Sequence, residues 1–556
     1  MRITDTSDLW WKNAVLYCLD VETFMDWDGD GRGDFGGLAH RLDYLSDLGV
    51  TCLWLMPFFP TPDRDDGYDI MDFYGIDKRL GHIGDLVEVI RSAKDRGMRV
   101  IADLVVNHTS DRHPWFQAAR SSPDSPYRDF YVWSDEIPKD APETVFPGEE
   151  KGVWSFDEKA GQYYLHRFYK HQPDLNTANP KVREEIAKVL GYWLQLGLSG
   201  FRVDAVPFFL ETTEGMLPEG PDAGHSYLRD LRSFVGRRQG DAILLGEVNL
   251  KFKDQLAYFG GPDGDELSMQ FDFESMQRFY LSLVREDARP LARTLARRPK
   301  LALQSQWANF VRNHDELTLD KLTEVERREV FDALGPEPRM QVYDRGIVRR
   351  LPTMLDGDPR RIRMAYSLLF SLPGTPVLFY GEEIGMGENL DAGGRQAVRT
   401  PMQWTDAKNG GFSTARPSAL PNPVVADGFG PDHINVNQQR HDPDSLLSFI
   451  QLLIRRYRAS AEIGWGDLTI LEQPHASVLA HRVTGPLGSM IALHNFSPNA
   501  LTVPLTVDGA DAETRLVDLL QEGETRTDDR GRAELDLEGY GYRWLRILDP
   551  GTRRLS

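Results

Sequence analysis

Short apolar runs alternate with amphipathic helical stretches through the first two thirds of the chain, and this alternation constrains the fold more than any other feature. Repeated strand and helix segments are typical of a parallel sheet covered by helices. Eight runs have the length and composition of buried strands, and a closed (β/α)₈ barrel is the simplest arrangement that pairs them all. These runs are residues 14–18, 50–56, 98–104, 198–203, 242–245, 269–271, 310–312 and 376–379.

Two departures from this alternation predict two further domains. Residues 107–176 are rich in Asp, Pro, Ser and aromatic residues and show little periodicity, which predicts an insertion domain after the third strand. Residues 464–556 contain short, evenly spaced strand signals separated by polar turns, which predicts an antiparallel β domain. The predicted α/β barrel therefore consists of residues 1–106 and 177–463.

The charge balance restricts the partners of this chain. A net charge of −21 disfavours nucleic acid and anionic membranes, whereas a neutral small molecule is compatible with it. The sequence shows neither a signal peptide nor an apolar run long enough to span a membrane, so we expect a cytoplasmic protein without a membrane partner. Cys18 and Cys52 lie within apolar runs and are expected to be buried free thiols. The sequence leaves open whether the chain forms a homo-oligomer.

Residues 26–34 place carboxylates at alternate positions, with glycines between them. The pattern is similar to the first nine positions of an EF-hand loop, although Gly37 replaces its bidentate glutamate. Carboxylates this close repel one another without a cation, so we expect a structural Ca²⁺ or Mg²⁺; a solvated acidic turn is the alternative. The expected ligands are Asp26, Asp28, Asp30, Asp34 and the carbonyl of Arg32.

Charged side chains end several of the predicted strands. Arg202 and Asp204 end the fourth strand in the segment GFRVDAV, Glu247 follows the fifth, and Asp315 follows the seventh. A buried charged pair costs several kcal/mol unless it is satisfied or used, so a structural Arg–Asp pair is the alternative to a functional one. Strand ends of a barrel converge on one face, where three carboxylates distant in sequence can meet.

Five segments carry a resemblance to glycoside hydrolase family thirteen, the α-amylase family. DLVVNH, GFRVDAV, GEV and RNHD resemble its four signature regions, and QPDLN at residues 172–176 is similar to its fifth. The resemblance covers essentially the whole chain and implies a retaining glycosidase mechanism. It makes Asp204 the nucleophile, Glu247 the acid/base and Asp315 the third carboxylate, with the first two expected about 5–5.5 Å apart.

The resemblance also implies a pocket for one terminal glucosyl unit of a short α-glucoside. Segments 65–69 and 398–404 resemble those that supply a stacking tyrosine and an Asp–Arg pair in the exo-acting α-glucosidase and trehalose synthase branches, which makes Asp65 and Arg399 the expected pair. Ala205 is similar to branches that act on α-1,4 or related linkages. The matching substrate-binding positions are Asp65, Tyr68, His108, Phe146, Gln172, Arg202, Phe208, His314, Glu316 and Arg399.

A second metal site is implied by the same resemblance. Asn107, Asp174 and Glu211, with carbonyls near residues 208–209, match oxygen ligands of Ca²⁺ in the trehalose synthase branch. The alternative is a hydrogen-bonded cluster between domains.

Three departures from the trehalose synthase branch bear on the reaction. Phe208 replaces a tyrosine, Asp320 replaces a glutamate, and Glu143 stands where a lid arginine would pair with Glu316. We therefore expect hydrolysis or transglucosylation of maltose-like substrates through a covalent glucosyl-enzyme, with maltose–trehalose isomerisation as the alternative. A non-catalytic accessory relative is a remote alternative, because the catalytic carboxylates are present.

Overall fold

The computed structural model describes residues 9–210, 223–486 and 488–548. Eight parallel strands close into a barrel in chain order, and the last pairs with the first, Leu16 lying opposite Val377. The predicted (β/α)₈ barrel is confirmed. The strands are β1 (Leu16–Leu19), β2 (Cys52–Leu55), β3 (Arg99–Leu104), β4 (Gly200–Val203), β5 (Ile243–Gly246), β6 (Met269–Phe271), β7 (Gln306–Asn309) and β8 (Thr375–Phe379).

The helices have the start and stop signals that their sequences predict. In the helix Pro180–Leu196, Asn179 caps the N-terminus through Lys181 N, and Gly197 ends the helix with a left-handed φ of 111°. The other longer helices are Phe35–Leu48, Ile83–Asp95, Ala223–Arg238, Phe273–Arg285, Glu324–Leu334, Pro359–Ser371 and Leu446–Arg458. Shorter helices are Val21–Phe24, Pro114–Ser121, Phe252–Gln255, Arg289–Leu295, Leu351–Met354, Val436–Gln439 and Ala461–Trp465.

The seventh strand was expected at residues 310–312 and instead lies at Gln306–Asn309. The expectation was wrong because this strand is not a continuous apolar run. Its polar side chains are buried but satisfied: Gln306 donates to the Gly464 carbonyl at 2.9 Å and Asn309 to the Leu372 carbonyl at 3.2 Å. The segment after β7 also forms a small sheet that the sequence did not predict, with strands Leu317–Thr318, Gln341–Val342 and Gly346–Ile347.

Residues 107–176 contain a short helix and a three-stranded antiparallel sheet. Isolated bridges join His108 to Asp174 and Tyr131 to Leu175, so the segment leaves and re-enters the barrel at neighbouring positions. The insertion therefore lies beside the carboxyl end of β3. Its strands are Trp133–Ser134, Trp154–Asp157 and Gln162–Leu165.

The C-terminal region forms two antiparallel sheets, as predicted. Their facing side chains, including Ile491, Val503 and Leu535, share one apolar core. The larger sheet has the order Asp467–Leu471, Val478–Gly485, Gly488–Asn495, Tyr542–Leu548, Arg515–Asp518 and Glu524–Arg526, and the smaller one pairs Leu501–Thr506 with Arg532–Leu537.

Cys18 and Cys52 lie on the neighbouring strands β1 and β2, and both are buried free thiols, as predicted. Among the helices of the described ranges, none has the length and apolar character needed to cross a membrane.

Candidate active site

One buried arginine gathers the carboxylates at the ends of β3, β4 and β5. The Nη1 atom of Arg202 lies 2.6 Å from Asp103 Oδ1 and 2.5 Å from Asp204 Oδ1, and its Nη2 atom lies 2.9 Å from Glu247 Oε2. Strand register brings the first pair together, because Asp103 lies opposite Arg202. Asp103 also accepts a hydrogen bond from Trp54 Nε1 at 2.8 Å. Asp103 was not among the predicted site residues, although its place in the DLVVNH strand signals it.

The surroundings of Asp204 and Glu247 favour their protonated forms. Withdrawal from solvent raises the pKa of Glu247 to about 7 and that of Asp204 to about 6, and Arg202 opposes both shifts. The charge of Asp204 also raises the pKa of Glu247, and the charges of Asp103 and Asp315 raise that of Asp204. Glu247 therefore holds a proton near neutral pH more readily than Asp204 does, which is the division of roles that an acid and a nucleophile require.

The residue after Asp204 positions Glu247. The Ala205 amide donates to Glu247 Oε2 at 3.2 Å, and Ala205 has a φ of 49°, in the left-handed region that a non-glycine residue rarely adopts. This strained backbone points the amide toward the acid.

Asp315 lies between two arginines. Its Oδ1 atom is 2.9 Å from Arg399 Nη2 and 3.0 Å from Arg395 Nη1. Withdrawal from solvent alone would raise the pKa of Asp315, but the arginine charges lower it below its ordinary value. His314 lies beside Asp315, and its Nε2 atom is 2.7 Å from the Tyr68 hydroxyl. Burial lowers the pKa of His314 well below its ordinary value, so the ring is neutral.

The predicted Asp65–Arg399 pair is wrong, because Arg399 pairs with Asp66. Arg399 Nη1 lies 2.7 Å from Asp66 Oδ2, whereas Asp65 Oδ2 accepts from Gln172 Nε2 at 2.7 Å. Desolvation raises the pKa of Asp65 to about 7. The reason is a tight turn with φ of 50° at Asp66 and 88° at Gly67, which sends successive side chains in different directions.

A cavity of about 490 Å³ lies beside Glu247 and Asp315. Of the three departures noted in the sequence, Phe208 and Asp320 line this cavity, whereas Glu143 is exposed and is not a lining residue. Asp320 accepts from Asn249 Nδ2 at 3.1 Å and from Lys321 Nζ at 2.6 Å. Other lining residues include Val145, Phe168, Ala205, Asn249, Glu316, Lys321, Arg345 and Arg395.

Glu316 has two arginine partners, neither of which the sequence predicted. Glu316 Oε1 lies 3.3 Å from Arg345 Nη2, and Glu316 Oε2 lies 2.7 Å from Arg395 Nη2. Arg345 lies in the turn between the strands Gln341–Val342 and Gly346–Ile347, and Arg395 lies in the 3₁₀ helix Gly394–Val398 after β8. In the sequence, the RTPMQW motif, which begins four residues beyond Arg395, was the signal that indicated this part of the pocket.

Comparison with known proteins agrees with this geometry. The model described as alpha amylase, catalytic domain, matches residues 21–331 and 347–466, and the model described as sucrose hydrolase-like, C-terminal domain, matches residues 488–546. The chain belongs to the α-amylase family. The predicted family and enzyme class are confirmed.

Several family members are similar to the chain over nearly its whole length. The trehalose synthase of Pimelobacter sp. is 41% identical and the alignment covers 98% of this chain and 96% of that protein. The trehalose synthase/amylase TreS of Mycobacterium tuberculosis is 41% identical over 97% of this chain and 90% of that protein. The crystal structure of the alpha-amylase from H. orenii superposes with a TM-score of 0.78 at 26% identity, covering 96% and 99% of the two chains.

Two more residues that the family resemblance singled out lie where the insertion meets the barrel. The Phe146 ring packs 4.6 Å from both Tyr169 and Tyr343, centroid to centroid. Both ring nitrogens of His108 are used within the protein: Nε2 contacts the Tyr68 carbonyl at 3.2 Å, and Nδ1 contacts Asn107 Nδ2 at 3.3 Å. Neither ring nitrogen of His108 is therefore free for the predicted contact with a sugar hydroxyl.

The first predicted metal site has three converging carboxylates. Asp26, Asp28 and Asp34 each offer an oxygen, and these oxygens lie within 4.8 Å of one another. Asp30 is not part of this group; its Oδ1 atom accepts from the Arg32 amide at 2.8 Å. The group fits a hard cation such as Ca²⁺.

The second predicted metal site has unused buried oxygens. Asn107 Nδ2 donates to Asp174 Oδ1 at 3.1 Å, and among the described residues Asn107 Oδ1 and Asp174 Oδ2 are buried without a hydrogen-bond partner. Such oxygens are costly unless a donor or a cation satisfies them, so the pair fits a cation. Glu211, the third predicted ligand, lies outside the described residues.

Proposed function

We propose that this enzyme is a trehalose synthase, which converts maltose to trehalose by moving one glucosyl unit within a covered pocket, and that it hydrolyses short α-glucosides as a side reaction. The cavity beside Glu247 and Asp315 carries this proposal, because the insertion covers it through Val145 and Phe168 and it has room for one released glucose. The trehalose synthases that are 41% identical to the chain support it.

The first half of the proposed reaction uses the two carboxyl groups at the ends of β4 and β5. Asp204 forms an ester bond to the anomeric carbon of the terminal glucosyl unit while the glycosidic bond breaks. The proton of Glu247 passes to the leaving oxygen, which releases glucose. The short contact between Arg202 and Asp204 holds the nucleophile on the strand face that meets the sugar.

The second half returns the glucosyl unit to the retained glucose. The anomeric hydroxyl of that glucose attacks the ester carbon, its proton passes to Glu247, and the bond to Asp204 breaks. Retention of configuration in both steps yields an α,α-linked disaccharide. Water that enters the cavity completes the same step and yields glucose, so covering the cavity decides the product.

The far wall of the pocket favours a terminal glucosyl unit over a continuing chain. Arg399 is fully buried and bridges Asp66 and Asp315, so it joins the wall to the carboxylate that would hold the ring hydroxyls. A chain that continues beyond the terminal unit would meet this buried ion pair.

Hydrolysis as the main reaction is the second candidate, and Phe208 favours it. Phe208 lines the acceptor cavity with a ring that has no hydroxyl, so one hydrogen bond to the retained glucose is unavailable. A less firmly held glucose leaves more often and lets water in.

We also propose structural Ca²⁺ at both metal sites. The carboxylates of Asp26, Asp28 and Asp34 support the first site, and the buried oxygens of Asn107 and Asp174, which have no partner among the described residues, support the second. The cation at the second site would hold the insertion against the end of β3.

Incubation with maltose tests the proposal. We expect trehalose to be the major product, and we expect Asp204→Asn to lose at least about 10³-fold in turnover because the nucleophile is gone. Glucose as the dominant product would support the hydrolase candidate instead, and an Asp204→Asn variant with undiminished turnover would refute the assigned nucleophile.

A further inference from the structure

Arg345 joins the barrel to the insertion directly above the acceptor cavity. Its Nη1 atom donates to the Val145 carbonyl of the insertion at 2.5 Å, and its Nη2 atom lies 3.3 Å from Glu316 Oε1 of the barrel. Val145, Glu316 and Arg345 all line the cavity. One guanidinium therefore holds both sides of the cavity at once, which its planar fork of donors permits.

The contact continues down to the catalytic carboxylates. Arg395 lies between Asp315 Oδ1, at 3.0 Å, and Glu316 Oε2, at 2.7 Å. Negative and positive side chains thus alternate from the catalytic carboxylates to the insertion, in the order Asp315, Arg395, Glu316 and Arg345. Moving Arg345 away would leave Glu316 with Arg395 alone and would release Val145.

The turn that carries Arg345 has a strained backbone. Tyr343 and Asp344 have φ of 54° each, in the left-handed region that a bulky residue such as tyrosine adopts only at a cost. Contacts with the insertion hold the turn: the Tyr343 hydroxyl is 2.9 Å from the Tyr169 hydroxyl, and its ring packs on Phe146. Strain that is maintained next to a pocket points to a functional constraint.

This turn lies outside the residues that the α-amylase family match covers. The family match ends at residue 331 and resumes at 347, so Tyr343 and Arg345 lie in a segment that it does not describe. The residue expected at the lid, Glu143, is exposed and carries the wrong charge to pair with Glu316.

We propose that Arg345 is the residue that keeps the insertion closed over the acceptor cavity and thereby sets the ratio of transfer to hydrolysis. Arg345 acts as a positioning residue, because it holds Val145 and Glu316 in place without touching the reacting atoms. This inference rests on the proposed trehalose synthase activity.

The test compares Arg345→Ala, Arg345→Lys and the unaltered enzyme on maltose, with labelled free glucose in the solution. We expect the ratio of glucose to trehalose to rise at least fivefold in Arg345→Ala, because an opened cavity admits water. Label incorporated into trehalose should rise similarly, since exchange of the retained glucose requires the same opening. Arg345→Lys should lie between, because an ammonium is a point charge that lacks the fork geometry.

Arg339→Ala is the matched control. Arg339 lies in the same segment, on the surface, and pairs with Glu337 at 2.8 Å. We expect its product ratio and label incorporation to equal those of the unaltered enzyme. Far-UV circular dichroism shows that the Arg345 variants are folded, and release of the aryl group from an aryl α-glucoside shows that they form the glucosyl-enzyme.

The outcomes separate this inference from the proposed function. Suppose that the unaltered enzyme makes trehalose and that Arg345→Ala and Arg345→Lys have the same product ratio and label incorporation as the unaltered enzyme. The role of Arg345 is then refuted, and the trehalose synthase activity stands. An equal rise in Arg339→Ala also refutes it. If the unaltered enzyme yields glucose only, the trehalose synthase proposal fails, and with it the role of Arg345.

Discussion

Arginine side chains decide which carboxyl groups of the pocket are charged. Arg202 offsets the desolvation of Asp204 and Glu247, whose pKa values still lie above the ordinary range for carboxylic acids. Arg395 and Arg399 do more for Asp315, whose pKa lies below its ordinary value. The pocket therefore combines a carboxylate that stays ionised with an acid that keeps its proton near neutral pH.

The pairing of Arg399 with Asp66 leads to a prediction at this scale. Asp66→Asn should lower kcat/KM for maltose about a hundredfold, because removing one partner of a buried pair leaves the Arg399 charge poorly compensated. Asp65→Asn should cost about tenfold or less, since asparagine still offers an oxygen to Gln172. Steady-state kinetics of the two variants measure the difference, and a larger loss in Asp65→Asn would contradict the observed pairing.

The residues of the site differ in how far the sequence could reveal them. Asp204, Glu247 and Asp315 stand in motifs at strand ends, so the barrel alone brings them to one face. The partner of Arg399 depends on a two-residue turn, which a linear motif does not encode. Arg345 and Val145 are 200 residues apart in the chain, and a local sequence pattern does not predict a contact between them.

Among the elements, the same contrast separates apolar strands from polar ones. The sequence predicted β6 exactly and the other apolar barrel strands to within a few residues, because a buried parallel strand is a short apolar run. The prediction for β7 failed because Gln306 and Asn309 are buried in it and are satisfied by carbonyls from other elements. Tertiary hydrogen bonds of this kind cannot be inferred from composition.

The packing of the helix Pro359–Ser371 against the C-terminal sheet contains two buried histidines. His481 Nε2 donates to the Ser371 carbonyl at 3.0 Å, and His494 Nε2 lies 3.0 Å from Ser367 Oγ. The rings are parallel, with centroids 6.1 Å apart, and their buried Nδ1 atoms have no hydrogen-bond partner in the part of the chain that the structure describes. Burial lowers the pKa of His481 to about 4, so both packing and charge favour the neutral ring.

This packing predicts a loss of stability in mild acid. In the unfolded chain His481 binds a proton below about pH 6.5, whereas in the folded chain it does so only below about pH 4. The free energy of unfolding therefore falls by about 3 kcal/mol as the pH is lowered through that window. His481→Gln keeps a donor for Ser371 and removes the titration. Its melting temperature should therefore fall less between pH 6.5 and 4.5 than that of the unaltered protein.

His441→Gln is the control, because His441 is exposed. Its melting temperature should follow the unaltered protein across the same window. Parallel acid losses in His481→Gln and in the unaltered protein would count against the buried neutral ring.

At the scale of the whole molecule, the acidic loop near the start of the chain joins parts that are distant in sequence. The Asp26 amide donates to the Phe412 carbonyl at 3.1 Å, Ser413 Oγ donates to Asp26 Oδ2 at 2.5 Å, and Asp34 caps the helix Phe35–Leu48. A cation bound by this loop would stabilise the contact between the first helices of the barrel and the segment after β8.

Removing that cation should lower the stability of the whole enzyme. We expect a calcium chelator to lower the melting temperature by about 2–5 °C, since a ligand bound only to the folded state adds a few kcal/mol. Asp28→Ala should reduce this response, and little else is lost, because Asp28 is exposed and its side chain accepts a hydrogen bond from the Asp30 amide at 3.1 Å. Asp124→Ala, at another exposed position, should retain the full response. An undiminished response in Asp28→Ala would exclude this loop as the source.

Because the two native cysteines are buried, an introduced cysteine on the insertion can be labelled selectively with a dye. Cys18 and Cys52 are the only cysteines of the chain, and burial raises the pKa of both thiols, so neither is a ready nucleophile. A thiol introduced by Glu143→Cys would then be the single reactive one, on the exposed loop that leads into Val145. A maleimide dye attached there would test in single enzyme molecules whether the insertion opens when Arg345 is replaced, without replacing any native cysteine.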